Sequence, residues 1–186
     1  MAHGISVHIG INEVDPDHYA GWSGPLGACE KDASDMQQIA SQQNFETTLL
    51  NTRSATRDAV KSAVLKAASE LKAGDFFLMS YSGHGGQVKD VNGDEEDGLD
   101  ETWCLYDGQL IDDELAIMWA DFAPGVRVFV ISDSCHSGSV SKAVPNSDSM
   151  MDMVSGPLAS SNQVGDLVFR FMPRERSLET FRQYRP

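Results

Sequence analysis

Asp75-Phe76-Phe77-Leu78-Met79-Ser80-Tyr81 is an almost unbroken apolar run that leads straight into Ser82-Gly83-His84-Gly85-Gly86. Arg127 to Ser132 (RVFVIS) repeats the form and leads into Asp133-Ser134-Cys135-His136-Ser137-Gly138. A continuous apolar run of this length is what a strand buried on both faces requires, and such strands belong to parallel sheets. The polar, glycine-containing segment after each run reads as a functional loop carried on a rigid strand.

Working outward from these two runs, Ile5 to Ile11 reads as a further buried strand, followed by a Gly/Pro loop containing Trp22 and Pro25. From Leu26 to Gln43 the residues Cys29, Ala33, Met36, Ile39 and Ala40 recur at three- and four-residue steps, the spacing of a helix with one buried face. Glu46 to Leu50 is a strand candidate. Thr56 to Ala73 is a second helix, with Val60, Val64, Leu65, Ala68 and Leu71 on one side and Gly74 as its stop. Asp112 to Phe122 supplies a third, with Leu115, Met118 and Trp119 as its stripe. Strands alternating with helices predict an α/β domain with parallel neighbours and right-handed crossovers. Sites in such sheets form beyond the carboxyl ends of the strands, which is where His84 and Cys135 both fall.

A chain of 186 residues with 41% hydrophobic content is expected to build one core. Residues 1–140 are read as that core. Residues 141–186 are read as a surface loop, rich in Ser, Met, Asp and Pro up to Gly165, followed by the start of a C-terminal part. Fourteen Lys and Arg against 28 Asp and Glu give a formal charge of -14, which repels nucleic acid and anionic membrane and favours cationic partners. Three cysteines without a CxxC pair are too few for a disulfide framework and fit a reduced compartment. The N-terminus shows no secretory signal pattern and no stretch approaches a membrane span, so a cytoplasmic location is expected.

A lone cysteine is more often a small buried hydrophobe than a nucleophile. Cys135 differs in following a strand directly and in sitting among Ser, His and Gly, a setting that can lower a thiol's pKa. His84 has two readings as well: glycine neighbours tolerate an unusual backbone, and they also leave its ring open to a substrate. Placed at the ends of two strands, His84 and Cys135 meet the demand of a nucleophile and its base. His136 is a rival base whose position on the nucleophile's own turn points it elsewhere. Cys29 and Cys104, in a helix stripe and a strand, read as core.

The segment Tyr81-Ser82-Gly83-His84-Gly85 followed by Asp133-Ser134-Cys135-His136-Ser137-Gly138 resembles the metacaspase and bacterial caspase-like branch of the caspase superfamily. Gly27-Ala28-Cys29-Glu30-Lys31-Asp32 is similar to the metacaspase segment that contributes an acidic residue to the specificity pocket. It does not resemble animal caspases at the nucleophile, where a Gln-Ala-Cys-x-Gly signature is expected.

The resemblance runs from about Ile5 to Val140. It implies a caspase-like fold, a central mostly parallel sheet flanked by helices in three α/β/α layers. It also implies a cysteine endopeptidase in which Cys135 attacks, His84 protonates the leaving amine, and the N–H groups of Gly85 and Cys135 stabilise the oxyanion. A non-catalytic module binding partners through the same cleft is the alternative. The family fold places two more strands after the nucleophile, where only Val164 to Phe171 is a candidate, so the chain is expected to be a fragment or a processing product.

Asp133, two residues before the nucleophile, is expected at the mouth of the cleft. The resemblance adds Asp32 and Ser82 to the same pocket. Paired carboxylates there would select polypeptide substrates with Arg or Lys before the scissile bond. The bland reading makes Asp133 a turn cap and Asp32 a solvated helix residue.

The acidic stretch Asp90 to Glu101 places Asp90, Asn92, Asp94 and Glu101 at EF-hand positions 1, 3, 5 and 12, with Glu95 where glycine is needed, so it reads as a solvated loop or a family metal site. The resemblance makes Asp100, Asp112 and Asp113 the counterparts of calcium ligands in calcium-dependent metacaspases. Those enzymes carry another aspartate where this chain has Lys142. No cofactor is expected to be required, and calcium is the one candidate.

Overall fold

The computed structural model describes residues 2–89, 99–134, 163–164, 167–168, 172 and 180. The chain runs through β1 (Gly4–Gly10), α1 (Cys29–Gln42), β2 (Glu46–Asn51), α2 (Arg57–Glu70) and β3 (Phe76–Ser82). It continues through β4 (Gly85–Lys89), β5 (Leu99–Leu105), β6 (Gly108–Ile111), α3 (Asp112–Ala120), β7 (Arg127–Asp133), β8 (Gln163–Val164) and β9 (Leu167–Val168).

Four of these strands make one parallel sheet in the order β2-β1-β3-β7. Because β2 lies on one side of β1 and β3 on the other, the chain reverses its winding between β1 and β3. A crevice opens at the carboxyl ends of strands at such a reversal.

Side-chain alternation along β1 decides which layer covers which face. Ile5, Val7 and Ile9 join Phe77, Met79 and Tyr81 of β3 and Val60, Val64 and Ala67 of α2 in the main apolar core, with Leu115 and Met118 of α3. Ser6, His8 and Gly10 face the opposite way. A Cβ at Gly10 would collide with the Cys29 carbonyl oxygen and lie 2.7 Å from Glu30 Cα, so α1 crosses that face in backbone contact. Helices therefore cover both faces of the sheet, as expected of the α/β/α caspase-like architecture.

Two expected stripe residues lie outside the core: Ile39 is 53% exposed and Leu65 48%. Each sits one residue, about 100° of helical arc, from a buried neighbour, Ala40 and Val64. The larger departure is between β3 and β7. Besides α3, this stretch holds an antiparallel ribbon, β4-β5-β6, with Gly85 opposite Trp103 and Thr102 opposite Ile111.

Trp103, Cys104 and Leu105 of β5 complete the core over the sheet. Where Val164 to Phe171 suggested one strand, β8 and β9 pair as a short antiparallel hairpin. Met172 then donates its N–H to the Gly85 carbonyl at 2.8 Å. No helix among the described residues is long and apolar enough to cross a membrane.

Candidate active site

The carboxyl ends of β1, β3 and β7 lie level. Gly10 is the register partner of Ser82, and Ser82 that of Asp133. The chain leaves β3 through Gly83, whose N–H reaches the Asp133 carbonyl at 3.4 Å, and His84 stands before β4.

His84 is 1% exposed. Its backbone is held by two donors to its carbonyl, the Tyr81 hydroxyl at 2.7 Å and the Cys104 N–H at 3.0 Å. Its ring is held by the loop after β1. Nε2 lies 2.7 Å from the Gly24 carbonyl oxygen, and the ring meets Trp22 at 4.8 Å between centroids. A carbonyl only accepts, so Nε2 carries the proton and Nδ1 is the basic nitrogen of the neutral ring.

That loop is itself anchored. The Tyr19 hydroxyl donates to the Leu105 carbonyl, and the Asp15 N–H donates to the Tyr106 carbonyl at 2.9 Å. Gly24 has φ +49, and a Cβ there would collide with Trp22 and stand 2.7 Å from His84 Nε2. Glycine is what lets the main chain come this close.

Ser82 Oγ donates to Asp32 Oδ2 at 2.9 Å, bringing two of the expected pocket residues together. Asp133 is exposed beside them at the end of β7. Asp32 is placed by the start of α1, where Asn12 Oδ1 accepts from the Cys29 N–H at 3.0 Å and the Glu30 N–H at 3.4 Å. Asn12 thus does the work of an N-cap from seventeen residues away. Its own N–H donates to Thr52 Oγ1 at 3.1 Å, and Thr52 donates to Glu30. Thr52 has φ +37, a strained conformation for a β-branched residue.

Sequence reasoning missed Asn12, Gly24 and Thr52. Of the loop after β1, only Trp22 and Pro25 stood out as large or rigid residues in a polar stretch.

The acidic residues assigned to calcium lie on two elements. Asp100 is buried in β5, Asp112 is buried at the start of α3, and Asp113 is half-buried beside it. Asp112 Oδ1 accepts the Asp113 N–H at 3.0 Å, and the acidic first turn of α3 suits the positive end of its dipole. Their oxygens are the hard donors calcium takes. Among the described residues, however, no group of three or more His, Cys, Asp or Glu side chains is gathered to hold a metal ion. The described carboxylates do not by themselves form a calcium cage. Asp90, Asp94 and Lys142 lie outside the described residues.

Cys29 and Cys104 are both buried. Burial pushes the Cys104 thiol far above its ordinary range, so it is held protonated and unreactive. Cys135 lies outside the described residues.

A model of the metacaspase, peptidase C14 domain family matches residues 6–144. The chain belongs to that family. Metacaspase-1 of Ajellomyces capsulatus is 38% identical over 147 residues, covering 70% of this chain and 39% of the relative. Metacaspase-1 of Kluyveromyces lactis is 35% identical, covering 71% of this chain and 33% of the relative.

Among solved structures, a protein of Geobacter sulfurreducens matches with a TM-score of 0.79 and 49% identity, covering 98% of this chain and 62% of that one. This metacaspase domain therefore spans about a third to two fifths of the length of these curated relatives. The matched span takes in His84, Asp133 and Cys135, three of the residues singled out by the two strand-end motifs.

Proposed function

We propose that this metacaspase domain is a cysteine endopeptidase that cuts polypeptides after Arg or Lys through a His84/Cys135 dyad. The observation that carries the reading is the state of His84. It stands at the carboxyl end of a sheet strand, its Nε2 is tied to the Gly24 carbonyl, and the neighbouring strand β7 ends two residues before Cys135 in the chain.

In this reading His84 Nδ1 takes the Cys135 thiol proton, the thiolate attacks the scissile carbonyl carbon, and negative charge gathers on its oxygen. The N–H groups of Gly85 and Cys135 stabilise that oxyanion. Collapse of the tetrahedral species breaks the C–N bond as His84 Nδ1 delivers a proton to the leaving amine. Water then attacks the thioester as His84 Nδ1 takes its proton, and cleavage of the C–S bond releases the acid and returns the proton to the Cys135 sulfur. Fixing Nε2–H on a backbone carbonyl keeps the tautomer that this sequence of transfers needs.

Specificity follows from the acidic pocket. Asp32, held by Ser82, lies near the register position of Asp133, and two carboxylates there attract a guanidinium or ammonium and repel acidic side chains. Arginine is favoured over lysine by its bidentate fork. Calcium is not required in this reading.

The deciding experiment is turnover of fluorogenic peptides by the wild type, Cys135→Ala and His84→Ala. Loss of activity in both variants, with unchanged thermal unfolding, is expected. More than a few per cent residual turnover in Cys135→Ala would rule the nucleophile out. An inactive wild type would leave a binding module as the reading.

A further inference from the structure

The aromatic pair beneath the site touches both motifs. Trp103 is fully buried and is the register partner of Gly85 in the β4–β5 pair. The next residue, Cys104, donates its N–H to the His84 carbonyl at 3.0 Å. The indole lies flat on the Tyr81 ring, with centroids 4.5 Å apart and planes 6° from parallel, and the Tyr81 hydroxyl donates to that same His84 carbonyl.

On its other side, Trp103 Nε1–H donates to Ser132 Oγ at 3.0 Å. Ser132 Oγ in turn lies 3.1 Å from Ser134 Oγ. Ser134 immediately precedes Cys135 in the chain.

Burial alone would be served as well by phenylalanine or leucine. The indole N–H is the feature that burial does not explain, since away from water it must find an acceptor. It finds a side chain on the strand that carries the nucleophile. A serine hydroxyl has one proton, so a Ser132 oxygen that accepts from the indole can direct that proton to Ser134. The Tyr81–Trp103 stack thus grips the turn of His84 at one end and the residues leading into Cys135 at the other.

We propose that Trp103 is a positioning residue for the dyad, setting the separation of the His84 turn from the residues that lead into Cys135 through its N–H to Ser132. The inference rests on the peptidase reading above. Trp103→Phe keeps the ring and the stack and removes only the donor. Ser132→Ala removes the acceptor without touching the core, and Ser132→Thr retains the hydroxyl.

Trp103→Phe and Ser132→Ala are each expected to lower kcat by roughly tenfold or more with KM little changed, because small misplacements of reacting groups carry penalties of that order. The double variant should lose no more than the larger single, since both remove one bond. Ser132→Thr should return activity toward wild type. The rate at which iodoacetamide alkylates Cys135 in each variant gives a second readout that needs no peptide turnover.

Wild-type kcat and alkylation in Trp103→Phe, or losses that multiply in the double variant, overturn the proposal. If the wild type turns over no peptide, the peptidase reading falls and the alkylation series decides the positioning role. Slower labelling in both single variants and recovery in Ser132→Thr support it, and equal rates refute it.

Discussion

The Gly24 carbonyl oxygen stands 2.7 Å from His84 Nε2, sixty residues away in the chain. A backbone acceptor at that distance fixes both the tautomer and the plane of the imidazole, the role an acidic third residue plays in nucleophile–base pairs. It is available only because Gly24 adopts φ +49 where a Cβ would strike Trp22.

Gly24→Ala is therefore expected to damage catalysis more than folding. The left-handed backbone conformation costs alanine about 1 kcal/mol, and relief of the Trp22 collision must move the carbonyl or the ring. Steady-state kinetics should show kcat lowered roughly tenfold or more, with KM nearly unchanged. A variant with wild-type kcat would mean that the carbonyl does not orient His84.

The proposed acidic pocket is open to a graded test. Asp32 is half-buried and hydrogen-bonded, whereas Asp133 is exposed. A charge-assisted bond is worth about 1.5–3 kcal/mol where water is excluded, and much less at a solvated position. Asp32→Asn keeps an acceptor for Ser82 and removes the charge, so it should lower kcat/KM for Arg peptides by about 10- to 100-fold, more than Asp133→Ala does. Fluorogenic peptides ending in Arg, Lys, Asp and Leu provide the comparison. Undiminished Arg cleavage in both variants, or a wild-type preference for Asp or Leu, would remove the pocket while leaving the dyad standing.

The main parallel strands were legible because the runs around Phe77 and Phe129 are long, apolar and β-branched or aromatic, and because each is followed in the sequence by a polar, glycine-bearing segment. The β4-β5-β6 ribbon was not. Gly85-Gly86-Gln87-Val88-Lys89 has two glycines and no apolar alternation, and it becomes a strand because β5 pairs with it.

The supports of the site were hidden for a related reason. The Gly24 carbonyl is a backbone group with no sequence signature, and Asn12 caps a helix whose start lies seventeen residues on. Both are products of the switch point between β1 and β3, which exists only once the sheet is assembled. His84, Ser82 and Asp32 were named from motifs, and the fold brings Ser82 and Asp32 into contact.

Calcium is expected to leave activity essentially unchanged. The described carboxylates are not gathered into a cage, and Lys142 stands where the resemblance calls for a further aspartate. Asp112→Ala should instead cost about 1 kcal/mol of stability, because Asp112 opens the acidic first turn of α3. Peptidase assays in EDTA and in low-millimolar calcium check this. A many-fold activation by calcium, abolished by Asp112→Ala, would restore the metal site.

His8 plays no part in the proposed catalysis. It is fully buried between β1 and α1, with Nδ1 2.8 Å from Ser80 Oγ and Nε2 2.9 Å from Ser6 Oγ. Burial lowers its pKa from 6.5 to about 4, because charging the ring there forfeits hydration. Above pH 6.5 both folded and unfolded chains hold His8 neutral, and it adds no pH dependence. As pH falls from 6.5 to about 4, the unfolded chain takes up a proton that the folded chain refuses, so stability declines through that window. The full loss is on the order of 3 kcal/mol. It begins at higher pH than the loss from Glu114, whose carboxyl is held below its ordinary value by hydrogen bonds and charge from Lys61 and Arg57 against the opposing effect of burial. Urea unfolding of the wild type and His8→Gln at pH 7 and pH 4.5 isolates the effect. The variant is expected to be less stable than the wild type at pH 7, yet to lose less stability on acidification. Equal losses in the two proteins would show that His8 is not the group that titrates on unfolding.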